Sequence, residues 1–111
     1  MFDLIIGKSG TGKTTELIKK SAETGIYILT SSKKRAFEVF IMARELKIDI
    51  PFPVTVEDFI RYRFQGSIIR YKGIYVDDID DVLQEFFGYI QIQAGTLTID
   101  EMRQNIKIKG E

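Results

Sequence analysis

Glycines, a lysine and adjacent threonines near the start of this chain stand at spacings that suit one task, gripping a polyphosphate. Gly7-Lys8-Ser9-Gly10-Thr11-Gly12-Lys13-Thr14 fits G-x-x-x-x-G-K-[ST] at every fixed position, and Thr15 follows. A phosphate chain is held by several backbone N–H groups converging on it, which needs tight turns with no Cβ in the way. Gly7, Gly10 and Gly12 permit that path. A helix starting near Lys13 would aim its unpaired N–H groups and positive dipole end at the same anion. In this pattern Lys13 reaches the β and γ phosphates, the Thr14 hydroxyl ligates Mg²⁺, and Thr15 bonds the α phosphate. At average residue frequencies such a match arises by chance in about one chain in three hundred of this length. The alternative is a glycine-rich connector without a ligand.

Hydrolysis also needs a carboxylate for the metal and a group to orient the attacking water. Ile74-Tyr75-Val76-Asp77 is an apolar run of strand length ending in an acid. In open α/β sheets ligands lie beyond the carboxyl ends of the strands, which would put Asp77 beside the strand leading into Gly7. Asp77 is then the metal contact and Asp78 the candidate base or water-positioning group. The competing reading makes Asp78, Asp80 and Asp81 an acidic start that favours the following helix dipole.

The elements that must position these groups alternate. Phe2 to Ile6 reads as a buried strand, and Thr14 to Glu23 as a helix with Leu17, Ile18 and Ala22 inward, stopped by Gly25. Ile26 to Thr30 is a second strand. Ser32 N-caps a helix whose Ala36, Phe37, Val39, Phe40, Ala43 and Leu46 keep helical spacing. Ile50-Pro51-Phe52-Pro53 ends that helix. Thr55 to Asp58 reads as a capping box opening a helix from Val56 to Phe64, and Gly66 to Lys72 as a connector. A helix of Ile79 to Gln91 follows Asp78, with Val82, Leu83, Phe86, Phe87 and Ile90 inward; Gly88 inside it costs about 1 kcal/mol relative to Ala. Thr96 to Ile99 is a fourth strand candidate, and Asn105 to Lys109 alternates like a lysine-guarded edge strand. Strands and helices alternating at this length predict right-handed crossovers and a parallel sheet covered on both faces.

Composition narrows the function classes. The 111 residues suit one domain, and 44 % apolar with 29 % charged residues is the make-up of an ordinary globule. Sixteen basic and sixteen acidic residues cancel, so any nucleic-acid or membrane attraction must come from a local patch. With no Cys and no His, disulfides, zinc sites and histidine chemistry are excluded. No signal peptide or hydrophobic span is visible, so a cytoplasmic protein without a membrane partner is expected.

The order of the phosphate loop, LTSSKKRAFEVFIMAREL, VTVEDFIRYRF and IYVDDIDDV resembles the first motor domain of superfamily 1 helicases and related RecA-like P-loop NTPases. Thr30, Lys34, Ala36 and Glu38 echo motif Ia, Thr55 and Phe59 the T-x-x-x-F element, and Asp77 to Asp81 motif II. The resemblance implies a minimal three-layer P-loop NTPase sandwich with a mostly parallel sheet, binding ATP (or GTP) and Mg²⁺. It further implies single-stranded DNA contact through Lys33, Lys34 and Arg35, with a replication or recombination partner. The sequence departs from the family where Asp78 replaces Glu and Ile79 follows it. It offers no adenine-reading Gln before the first strand and no second lobe, so autonomous translocation is not expected. Arg61, Arg63 and Arg103 are candidates for a finger supplied in trans, which would make the active form a homo-oligomer. Arg61, Tyr62, Arg63, Phe64, Arg70 and Tyr71 also interleave charge with aromatic rings, as in single-strand binders; the alternative is a solvated basic face with the rings turned inward.

Ser9 to Ile18 is also similar to the start of type II thymidine kinases, whose cysteine-built zinc lasso has no counterpart here. Three function classes therefore stand: an NTPase with Lys13 and Asp78 catalytic, a non-catalytic nucleotide-binding module, and a small-molecule (nucleoside) kinase.

Overall fold

The computed structural model describes residues 2–62, 67–98 and 105–110. It is an α/β chain with small parallel sheets, and it divides into two units, residues 1–13 with 92–111 and residues 14–91.

In the first unit, β1 (Leu4–Gly7) pairs in parallel with β5 (Ile106–Lys109), with Leu4 opposite Ile106 and Gly7 opposite Lys109. The tail thus forms the strand that its alternation predicts. Residues 91–98 have no regular structure, so Thr96 to Thr98 do not form the fourth strand expected there; Ile99 lies outside the described residues.

The second unit is built on a three-stranded parallel sheet in the order β3 (Val54–Thr55), β2 (Ile28–Thr30), β4 (Tyr75–Val76). Successive strand residues point to opposite faces, and β2 feeds two clusters accordingly. Ile28 packs with Ile18 of α1 (Lys13–Thr24) and with Val39 and Ala43 of α2 (Lys33–Glu45). Leu29 packs with Val54, with Val56 of α3 (Val56–Tyr62), with Ile69 of α4 (Ile68–Lys72) and with Val82 of α5 (Ile79–Phe87). Among the described residues the ladder partner of β4 is β2 and that of β1 is β5. β3 was not expected. Two residues are too few to show a period, and Pro53 precedes them.

Local signals place most helix starts. The Ser32 side chain accepts from Arg35 N at the start of α2. Thr55 and Asp58 exchange side-chain to backbone bonds at 3.1 and 3.0 Å, which is the expected capping box. Helix faces and ends are less faithful. On α1 Ser21 is buried and Ala22 exposed, because the Ser21 hydroxyl donates to Ile26 O and turns that face inward. Phe37 on α2 and Leu46 at its C-terminal cap are exposed. α2 also ends at Glu45, well before the prolines, because Lys47 takes φ 58° and reverses the chain. The Gly66 to Lys72 stretch carries α4, and Arg63 and Phe64 of the expected α3 end lie outside the described residues. α5 stops at Phe87 because Gly88, at φ 65°, caps it instead of continuing it. Only Val82 of its apolar set is buried. Leu83, Phe86, Phe87 and Ile90 are exposed, Val82 alone carrying this short helix into the core cluster.

Candidate functional site

The loop from Gly7 to Lys13 leaves β1 through a turn whose path depends on its glycines. A Cβ on Gly7 would stand 2.6 Å from Thr11 Oγ1 and 2.8 Å from Lys109 O, so no other residue fits there without displacing backbone. Gly10 and Gly12 take φ of +79° and +89°, the left-handed region that side chains avoid. The Thr11 hydroxyl donates to Lys8 O at 2.7 Å and closes the turn. Lys13 Nζ donates to Gly7 O and, at 3.1 Å, to Lys8 O, so the ammonium is folded over the first carbonyls of the loop. Lys8, Ser9, Gly10 and Gly12 are exposed.

In the second unit three side chains from three elements close a triangle. Asp77 N donates to Leu29 O at 2.9 Å, carrying the β4–β2 ladder one residue past the strand and fixing the position of the acid. The Asp77 carboxylate, only 4 % exposed, takes a hydrogen bond from the Thr14 hydroxyl at 2.9 Å on Oδ1 and from Arg35 Nε at 2.8 Å on Oδ2. Arg35 Nη2 in turn donates to Thr14 Oγ1 at 2.9 Å. Thr14 therefore both gives and receives, and both carboxylate oxygens are satisfied. The hydrogen bond to Asp77 raises the Arg35 pKa above its ordinary value; partial burial opposes this, and the charges of Asp77, Glu38 and Asp78 reinforce it. Arg35 is a permanent cation here.

Asp78 follows at φ 53° and ψ 80°, a left-handed conformation that costs a non-glycine residue about 1 kcal/mol. It opens α5 without a side-chain cap, so direct capping does not explain it. Desolvation pushes its carboxyl pKa up, and the charges of Asp77, Asp81 and Asp80 add to that, while Arg35 pulls it down. Its surface is nonetheless exposed, and the clustered negative charge is the firmer cause of the two.

Of the residues assigned to single-stranded DNA, Lys33 and Lys34 face solvent while Arg35 turns to Asp77. Arg61 pairs with Glu57 one helical turn away; Arg63 and Arg103 lie outside the described residues. Tyr62 and Tyr71 are exposed, against the inward-facing alternative for these two rings, and Arg70 is exposed as well. What sequence reasoning missed is Arg35 as the partner of Asp77 and Thr14. The available signal was a basic residue in the first turn of a helix that follows a strand neighbouring the acid's own.

Magnesium takes oxygen donors and retains waters, drawing the rest of its shell from substrate phosphates. The touching hydroxyl and carboxylate of Thr14 and Asp77 fit that chemistry. Among the described residues no group of three or more His, Cys, Asp or Glu side chains is placed to hold a metal, and a phosphate-borne magnesium needs none. Also among the described residues, no helix is long and apolar enough to cross a membrane. Comparison of the chain with protein-family models, curated proteins and solved structures returns no match.

Proposed function

We propose that this chain is a minimal P-loop NTPase of three-layer α/β type, binding ATP (or GTP) and hydrolysing it with Mg²⁺. The biological setting proposed is DNA metabolism, as a helicase-related single lobe. The observation that carries the reading is the 2.9 Å contact between Thr14 Oγ1 and Asp77 Oδ1, 63 residues apart in sequence. These are the hydroxyl that closes the phosphate-loop motif and the acid that ends an apolar strand, the two protein ligands magnesium has in this chemistry. Gly7 to Lys13 and Thr15 would bind the phosphates, and Lys13 would exchange its loop carbonyls for the stronger acceptors of the β and γ phosphates. Asp78 would orient the attacking water.

One observation favours the non-catalytic module instead. Asp78 has a shorter side chain than Glu and sits on a strained backbone, which limits its reach. Phosphate release with and without single-stranded DNA separates the two readings. A measurable Mg²⁺-dependent rate supports the NTPase, and binding without turnover supports the module. In either case Lys13→Ala should weaken nucleotide binding at least about a hundredfold, the loss of about 3 kcal/mol of charge-assisted hydrogen bonding. Unaltered affinity in an equilibrium titration of that variant would remove the assignment.

A further inference from the structure

Arg35 already occupies the oxygens that the proposed metal needs. Its guanidinium bonds Asp77 Oδ2 at 2.8 Å through Nε and Thr14 Oγ1 at 2.9 Å through Nη2, while Thr14 spends its proton on Asp77 Oδ1. A carboxylate as buried as Asp77 needs a cation beside it, and the planar fork of arginine matches two neighbouring oxygens well. Arg35 is held for the role at its backbone too, since its N–H donates to the Ser32 side chain that caps α2. Its side chain remains 29 % exposed, so it has a route away from Asp77.

The geometry points to Arg35 as a built-in counter-cation that holds the Thr14–Asp77 pair in the nucleotide-free protein and must release it before a divalent cation can bind there. This rests on the nucleotide-binding reading above and adds a coupling to it. A free divalent ion would have to displace a hydrogen-bonded guanidinium and gain two protein donors only. An ion arriving with a triphosphate brings its own oxygens, so it depends less on the two protein oxygens to offset the lost guanidinium contacts. Metal and nucleotide are therefore taken up together, and Mg²⁺ alone binds poorly.

The test measures binding, independently of turnover. A fluorescent nonhydrolysable ATP analogue is titrated into the wild type and Arg35→Gln over a series of Mg²⁺ concentrations. Arg35→Gln should reach half-maximal binding at a Mg²⁺ concentration at least about tenfold lower, because no guanidinium competes. Identical Mg²⁺ dependence in the two proteins would overturn the counter-cation role while leaving the nucleotide site intact. Absence of analogue binding by the wild type at every Mg²⁺ concentration would overturn the site itself and this inference with it. A wild-type measurement covers the case of a variant that does not fold. The Arg35 Nε–H resonance should be protected from solvent exchange in the nucleotide-free protein and lose that protection on adding Mg²⁺ with the analogue. Protection that persists in the saturated complex would sink the proposal.

Discussion

The phosphate loop and the Thr14–Arg35–Asp77 triangle do related chemistry with opposite materials. The loop is made of main chain: its shape follows from glycines at fixed spacing, and the side-chain hydrogen bonds within it span at most six residues, as between Lys13 and Gly7. The triangle is made of side chains from three elements, with partners 21, 42 and 63 residues apart. A main-chain device is written locally and tolerates a poor scaffold. A side-chain device exists only if the ladder between β2 and β4 and the Ser32 cap are both in place. The loop should therefore be robust to changes of charge, and the triangle should not.

Asp77→Asn tests that contrast most severely. The amide keeps the shape of the carboxylate but leaves Arg35 without its anion and turns an N–H toward one of its donor partners. Removing one member of a fully buried pair costs about 3–5 kcal/mol; with Arg35 partly exposed, about 2 kcal/mol is expected. In urea the midpoint should fall with an unchanged slope. Lys13→Ala removes hydrogen bonds from the loop, one of them to the exposed Lys8, and should move the midpoint much less. If Lys13→Ala proves the more destabilising of the two, the contrast between the regions is wrong.

Asp78→Asn sharpens it on the catalytic side. Turnover should fall about tenfold or more if Asp78 orients water, with nucleotide affinity preserved. The same variant reports on charge. In the folded state Asp78 holds its proton to higher pH than in the unfolded chain, through desolvation and the neighbouring acids Asp77, Asp81 and Asp80. The folded state thus binds more protons across the ordinary carboxylate range, and stability declines as pH rises through it. Asp78→Asn should lessen that decline. A decline of equal depth in the variant would assign it to other groups.

These differences explain what could be read in advance. The strand before the loop, the helix after it and the Ser32 and Thr55 caps are coded by residues within one turn of each other and were legible. The burial expected of Phe2 to Ile6 was not met: the strand runs Leu4–Gly7 and Phe2 and Ile6 are exposed, β5 being its ladder partner among the described residues. Asp77 was legible because an apolar strand run stops at it. Arg35 was readable only as part of Lys33-Lys34-Arg35, a charge run of the kind that normally faces solvent. Nothing local distinguishes the member that turns inward; the β2–β4 ladder selects it. The α5 face failed for a related reason. Periodicity names Leu83, Phe86 and Phe87 as one apolar stripe, but how much of a stripe is covered depends on neighbours that periodicity does not contain.

Lys47 offers the smallest effect and isolates the main-chain half of the contrast. Its N–H donates to Arg44 O at 3.0 Å and the next, Ile48 N–H, to Ala43 O at 2.9 Å, the paired bonds of a Schellman ending with Lys47 at the left-handed position. Glycine is the usual residue there, as it is at Gly10 and Gly12, yet here the position is filled by a lysine whose φ is 58°. The reversal is thus imposed by packing, Ile48 lying against the cluster that contains Ala43, and was invisible in the sequence for want of the glycine. Lys47→Gly should raise stability by about 0.5–1 kcal/mol, the relief of the Cβ penalty less the added freedom of the unfolded chain. Nucleotide binding should not change. A destabilised Lys47→Gly variant would mean that the lysine side chain contributes more than its strained backbone costs, and that a left-handed turn in this protein can be specified by packing alone.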